Sequence, residues 1–181
     1  MSASTSPKPV SVLFVCLGNI CRSTMAEGVF QSLTRPADKP AHPLIARIDS
    51  CGTGAYHIGD SPDSRTMATL KANGITAYRH SARAFETRDF ADFDYILAMD
   101  DANLDNLKRL RARQVEQQGG EEGVGRVMLF GEFGGKTRRG GKGEEVRDPY
   151  YGADDGFVRA FEQSVKFSGA FLEMLKAGEL S

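Results

Sequence analysis

Val10-Ser-Val-Leu-Phe-Val15 is the segment that most limits how this chain can fold. It is apolar nearly throughout and shows no in–out alternation, so both faces of the strand it predicts must be covered. Such a strand belongs inside a parallel sheet flanked by helices. The rest of the chain fits that frame. Residues 23–33 place Met25, Ala26, Val29, Phe30 and Leu33 at helical spacing before Arg35-Pro36 stops them. Leu44–Ser50 reads as a second strand and Cys51–Gly54 as a turn. Ser61 is expected to cap a helix with Pro62 at its first position, running through Met67 and Leu70 to Asn73-Gly74. Thr76–Arg79 reads as a short strand and Thr87–Phe90 as a helical turn. Tyr95–Met99 is a strand, and Asp100 or Asp101 caps a helix carrying Leu104, Leu107 and Leu110. Arg126–Phe130 is a further strand. A last helix starts near Asp154, with Phe157, Phe161, Val165, Leu172 and Leu175 on one stripe. The expected fold is α/β: a single domain with a four-stranded parallel sheet and helices on both faces.

A chain of 181 residues supports one core. Residues 1–9 read as a flexible tail without an apolar signal core, and residues 10–181 as the domain. The net charge of −1 gives no pull toward nucleic acid or an anionic membrane. No apolar run approaches the roughly 18 residues of a membrane span. The three cysteines, Cys16, Cys21 and Cys51, are an odd number without a signal peptide, which points to a reducing, cytoplasmic setting. His42, His57 and His80 lack zinc-site spacing, so neither a metal nor a cofactor is expected. Residues 117–145 are glycine-rich and charged and read as mobile loops on either side of the fourth strand. Gly134-Gly135-Lys136-Thr137 is similar to the tail of a nucleotide-binding P-loop, but Phe130 sits where that motif needs its first glycine.

Cys16-Leu-Gly-Asn-Ile-Cys-Arg-Ser23 lies between the first strand and the first helix. A tight loop there points successive N–H groups at one spot, and the helix N-terminus adds positive potential. That is a socket for a phosphate dianion with a thiol at its base. A free cysteine is mostly protonated at neutral pH, but amide groups, Arg22 and the helix terminus all favour the thiolate. A thiolate can attack phosphorus and form a phosphocysteine. Arg22 offers a planar fork for two equatorial oxygens, a grip lysine cannot copy. Gly18 lets the backbone approach the phosphate, Asn19 tolerates a left-handed conformation, and Ser23 can donate its hydroxyl hydrogen to the Cys16 sulfur.

A leaving oxygen needs a proton. Asp148-Pro-Tyr-Tyr151 lies between the fourth strand and the last helix, at the end of the sheet where ligands bind in such folds. Asp148 can act first as acid and then as base toward water. Tyr150 and Tyr151 can wall the pocket and stack on an aromatic group. Cys21 has two readings: a small buried residue, or a thiol that forms a disulfide with an oxidised Cys16. His57 is an entrance residue or a surface histidine, His80 a structural hydrogen-bond donor, and Asp100 and Asp101 are helix caps.

Taken together, CLGNICRS at 16–23 after VLFV, DS at 49–50, SPDSR at 61–65, FDYILAMD at 93–100 and DPYYG at 148–152 resemble the low-molecular-weight protein tyrosine phosphatases. The resemblance covers about residues 10–176 and implies a flavodoxin-like, phosphotyrosine phosphatase I-like fold. It implies Cys16 as nucleophile, Arg22 as clamp, Asp148 as acid then base, and the backbone of Leu17, Gly18, Asn19, Ile20, Cys21 and Arg22 as phosphate ligands. Tyr56 matches an aromatic wall position, with Leu17, Ile20, Tyr150 and Tyr151 completing the rim. The implied activity is hydrolysis of protein phosphotyrosine and small aryl phosphates, by a monomer or weak homodimer. Arsenate reductases share the fold, but their thiol relay needs more cysteines downstream than Cys51. Phosphoarginine phosphatases also share it, with threonine where this chain has Ile20. A non-catalytic phosphotyrosine-binding module is the remaining alternative; intact Cys16, Arg22 and Asp148 oppose it.

Overall fold

The computed structural model describes residues 7–180 except 136, 139–140, 151 and 153–154, and gives only the backbone at 137, 138, 141 and 142. β1 (Val10–Cys16) is followed by α1 (Arg22–Thr34) and β2 (Ile45–Gly52). Then come α2 (Ser64–Ala72), the short α3 (Asp89–Asp92) and β3 (Tyr95–Ala98). α4 (Asp101–Gln118) and β4 (Arg126–Leu129) lead to a 3-10 turn at Glu132–Gly134. A small hairpin of β5 (Thr137–Arg138) and β6 (Gly141–Lys142) precedes α5 (Asp155–Lys176). The main sheet has the order β2-β1-β3-β4 and is parallel throughout.

The pleat sorts the apolar run of β1 to two faces. Val12, Phe14 and Cys16 join one core cluster with Phe30 of α1 and Phe167 and Phe171 of α5. Leu13 and Val15 join another with Phe90, Phe93 and Leu107 of α4. Both faces are therefore covered, as the unbroken hydrophobicity requires. Because the strands are parallel, the loops leaving β1, β3 and β4 emerge at one end of the sheet. The chain reverses direction across the sheet between β1 and β3, and ligands of such folds sit at that reversal.

Several local expectations need correction. Asp63, not Ser61, caps α2: its carboxylate accepts from the Arg65 N–H at 2.8 Å, so the helix starts at Ser64 rather than at Pro62. Thr76–Arg79 forms no strand; with β1 and β2 already paired, the added parallel bridge falls later, between Gly52 and Ala84. Val165 and Leu33 are exposed rather than core-facing. The buried stripe of α5 instead runs through Phe157, Ala160, Ser164, Phe167, Ser168 and Phe171. Gln117–Gln118 extend α4 rather than starting a loop. In the glycine-rich stretch, Phe133 is buried 5.1 Å from the Phe171 ring, and Gly134 leaves room for Phe167. The start of the last helix near Asp154 falls outside the described residues.

Phe171 packs edge-on against Phe30, Tyr95 and Phe133 and so joins α5, α1, the sheet and the 3-10 turn. Phe171→Ala is expected to lower the unfolding free energy by about 3–5 kcal/mol in denaturant titration. A loss below about 1 kcal/mol would contradict this account of the core.

Candidate active site

Cys16 ends β1 and is 3% exposed. The loop after it is held by its carbonyls. Those of Cys16, Leu17 and Ile20 accept from the N–H groups of Thr53, Gly54 and Asp63 at 2.8, 2.9 and 2.8 Å. The Cys21 carbonyl accepts from Met25 N–H at 3.0 Å and from the Thr24 and Thr66 hydroxyls. The carbonyls of residues 16, 17, 20 and 21 are thus engaged away from Cys16, and a loop of this kind at the N-terminus of a helix can offer its amides to an anion. A Cβ on Gly52 would lie 2.6 Å from the Leu17 carbonyl oxygen, so glycine is what lets β2 pass this close. A Cβ on Gly18 would meet the His57 ring at 3.0 Å.

Asn19 has φ 57° and is the one non-glycine residue with positive φ among those described. Its amide is fully used. Nδ2 donates to the Ser23 and Ser50 hydroxyls, each at 2.9 Å, while Oδ1 accepts from His80 Nε2 at 2.7 Å and Arg83 N–H at 3.0 Å. Four hydrogen bonds, two of them buried, at about 1 kcal/mol each outweigh the roughly 1–2 kcal/mol of a left-handed conformation. Ser23 Oγ accepts from Asn19, which leaves its own hydrogen for the Cys16 sulfur 3.1 Å away. The Asn19 N–H also points at that sulfur, at 3.3 Å.

The Arg22 side chain is 3% exposed and has two firm anchors. Its Nη1 donates to Asp100 Oδ2 at 2.6 Å and to the Val146 carbonyl at 3.1 Å. Burial opposes its charge, but Cys16, Asp100 and Asp148 favour it more strongly, and the net shift is upward. Asp100 also caps α4, accepting from Asn103 N–H through Oδ1 at 2.8 Å. The Val146 N–H donates to the Met99 carbonyl at 2.8 Å. That bond pins the chain just before Asp148, whose carboxylate lies 3.7 Å from Arg22 Nη2.

These groups line one cavity of about 310 Å³, shared by Cys16, Leu17, Ile20, Arg22, Tyr56 and Asp148. Cys21, His57 and Tyr150 also face it, so His57 is an entrance residue. Tyr56 is 74% exposed and lies at the rim of this cavity. Tyr151 lies outside the described residues. Burial, helped by Asp63, Cys16 and Asp148, pushes the Cys21 thiol up to about 12, so it is a neutral thiol in the resting site. Cys51 is buried in the core cluster beneath α4.

Behind the loop lies a network that sequence reasoning missed apart from the hydrogen-bonding role of His80. Glu27 is buried within α1 and accepts from Ser50 Oγ at 2.9 Å and Tyr78 Oη at 2.5 Å. His80 Nδ1 is 3.3 Å from the same carboxyl oxygen. Because Asn19 Oδ1 is an acceptor, His80 Nε2 carries the proton. Glu27, Asp49 and His80 bring potential ligand atoms within 4.8 Å of one another. Each is already engaged, Asp49 by Arg83 Nε at 3.0 Å and by Ser50 N–H, so the group forms a hydrogen-bond network rather than an ion cage. A buried glutamate beside a tyrosine and a serine was the available signal, but their sequence separations hide it. Asp100 was legible as a cap and not as the partner of Arg22; its place at the end of β3, next to β1, was the clue. No helix among the described residues is long and apolar enough to cross a membrane.

Known proteins share this fold. The model of the family "low molecular weight phosphotyrosine protein phosphatase" matches residues 11–179. A protein of that name from Schizosaccharomyces pombe is 48% identical over 168 residues, covering 93% of this chain and 98% of that one. Among solved structures, a protein tyrosine phosphatase from Entamoeba histolytica superposes with a TM-score of 0.74 at 32% identity, covering 94% and 99% of the two chains. An arginine phosphatase from Drosophila gives a TM-score of 0.76 at 31% identity, with 91% and 97% covered.

Burial pushes the Glu27 carboxyl from an ordinary 4.5 up to about 7, while the Tyr78 and Ser50 hydroxyls partly offset it. Burial also pushes His80 down, so the proton stays on Glu27. Between those two values the folded state holds a proton that the unfolded state has lost, so stability falls as pH rises through the window, by about 3 kcal/mol. Glu27→Gln keeps the acceptor and removes the titration. The difference in unfolding free energy between the two proteins is expected to change across pH 4.5–7 in denaturant titrations; parallel curves would contradict the assignment.

Proposed function

The chain belongs to the low molecular weight phosphotyrosine protein phosphatase family, and on that premise we propose that it hydrolyses phosphotyrosine in proteins through a phosphocysteine intermediate. The observation that carries this reading is the convergence of Cys16, Arg22 and Asp148 on one cavity. The phosphate dianion is bound by the amides of residues 17–22 and by the Nη2 side of the Arg22 guanidinium. The Cys16 thiolate attacks phosphorus in line. As the S–P bond forms, the P–O bond to the tyrosine breaks, and protonated Asp148 gives its proton to the phenolic oxygen. Water then attacks the phosphocysteine, Asp148 takes the water proton, and the P–S bond breaks to return the thiolate and release inorganic phosphate. Charge spreads onto the equatorial oxygens in each transition state, where the amides and Arg22 stabilise it. The Ser23 hydroxyl stabilises sulfur both as nucleophile and as leaving group.

Leu17, Ile20, Tyr56 and Tyr150 surround the opening with apolar and aromatic surface. That surface suits a phenyl ring better than the polar guanidinium of phosphoarginine, and Ile20 carries no hydroxyl to meet one. Cys21 shares the cavity with Cys16, which supports its reading as the thiol that captures an oxidised Cys16 in a disulfide.

Phosphate release from a phosphotyrosine peptide by reduced protein, with chelator present, tests the reading. Cys16→Ser is expected to abolish release, and Arg22→Lys to reduce kcat by about 10²–10³. Retained turnover in Cys16→Ser would overturn the mechanism. Faster release from phosphoarginine than from phosphotyrosine would overturn the substrate class.

A further inference from the structure

Arg65 lies outside the catalytic trio, in the segment Ser61–Arg65 to which the reaction above gives no task. Its guanidinium joins three parts of the molecule. On its own helix it pairs with Asp63, Nε to Oδ1 at 3.0 Å and Nη2 to Oδ2 at 2.9 Å. On α5 it lies 4.6 Å from the centre of the Phe157 ring. On the acid loop it lies 5.2 Å from the centre of the Tyr150 ring, and its Nη1 donates to the Tyr150 carbonyl at 3.4 Å. Both ring distances are within cation–π range.

The two ends of this strut differ in firmness. Asp63 is fixed to the phosphate loop, because its N–H donates to the Ile20 carbonyl at 2.8 Å. Phe157 is buried. Within the acid loop, Tyr150 N–H donates to Asp148 Oδ1 at 3.0 Å and Gly152 N–H to the Pro149 carbonyl at 3.3 Å, while the loop is tied to the rest of the protein at Val146 and through Asp148 Oδ2, 3.7 Å from Arg22 Nη2. The first of these makes Tyr150 and Asp148 move together. An Arg–Asp pair on one helix turn, with the arginine half-exposed, contributes little by itself. A planar guanidinium holding a carbonyl and a ring of a loop whose carboxyl must reach the leaving oxygen does more.

We propose that Arg65 is a positioning residue for Asp148, holding the acid loop against the phosphate loop through Tyr150. The inference rests on the reading of Asp148 as proton donor. It predicts a defect that depends on the leaving group, because a poorly placed acid matters most where the departing phenolate is most basic.

The measurement is kcat/KM, which reports the steps up to release of the phenol, for phenyl phosphate and for p-nitrophenyl phosphate. Arg65→Ala is expected to lower it about tenfold for the phenyl ester and about twofold for the nitrophenyl ester, part of the roughly 10²–10⁴ a general acid supplies. Added to Asp148→Asn it should cause no further loss. Should Arg65→Ala not fold, Arg65→Lys, which keeps the charge without the planar fork, carries the same comparison. Equal losses on both esters, no loss on either, or a further loss in the Asp148→Asn background would overturn the positioning role. If Asp148→Asn itself shows no leaving-group dependence, the acid assignment fails, and the inference with it.

Discussion

The site depends on the left-handed turn at Asn19. A loop of eight residues from Cys16 to Ser23 has to aim its amides inward while its carbonyls find partners elsewhere. One residue must adopt a conformation that side chains resist, and the amide of Asn19 repays this by meeting Ser23, Ser50, His80 and Arg83. Those four contacts come from three parts of the chain: α1, β2 and the segment after α2. The loop from Cys16 to Ser23 is thus shaped by the fold around it. Such preorganisation is what makes aligned amides effective toward a transition state.

Charge in the cavity is arranged around Arg22 in a similar way. Asp100 and the Val146 carbonyl hold Nη1 of the guanidinium, while Nη2 faces the cavity and Asp148 at 3.7 Å. Because Asp100 caps α4 and Val146 is bonded to Met99, the arginine is positioned by the C-terminal ends of the sheet rather than by its own flexible stem. The same Val146 contact delivers Asp148. The two hydrogen bonds of Val146, its N–H to the Met99 carbonyl and its carbonyl from Arg22, therefore place Arg22 and Asp148 together, and the parallel ordering of β1, β3 and β4 brings these distant segments to one end of the sheet.

Much of this was legible in the chain. The unbroken hydrophobicity of residues 10–15 signalled a doubly covered strand, and a thiol and a guanidinium in the following loop signalled a phosphate socket. What could not be read were interactions across long separations. Ser50 was part of a noticed pair, Asp49-Ser50, yet its hydroxyl meets Asn19 and Glu27, which only the pairing of β1 with β2 brings near. Glu27 sits at a helix position that looked ordinary and is buried because α1 is covered on all sides from Arg22 to Phe30. Val165 failed as a core residue because periodicity fixes a stripe's spacing but not its phase; Phe167 and Phe171 set the phase through their fit to Phe130 and Phe30. Ser61 looked like a cap because serine before proline opens many helices, but the Asp63 carboxylate with Arg65 makes the stronger one.

The central claim is a covalent bond between phosphorus and Cys16, and rapid acid quenching during turnover of an aryl phosphate tests it most directly. Peptide mapping of the quenched protein by mass spectrometry should find the phosphoryl group on Cys16, formed in step with the first burst of released phenol. Active protein that carries no phosphoryl group at quench, or carries it on another residue, would contradict the account.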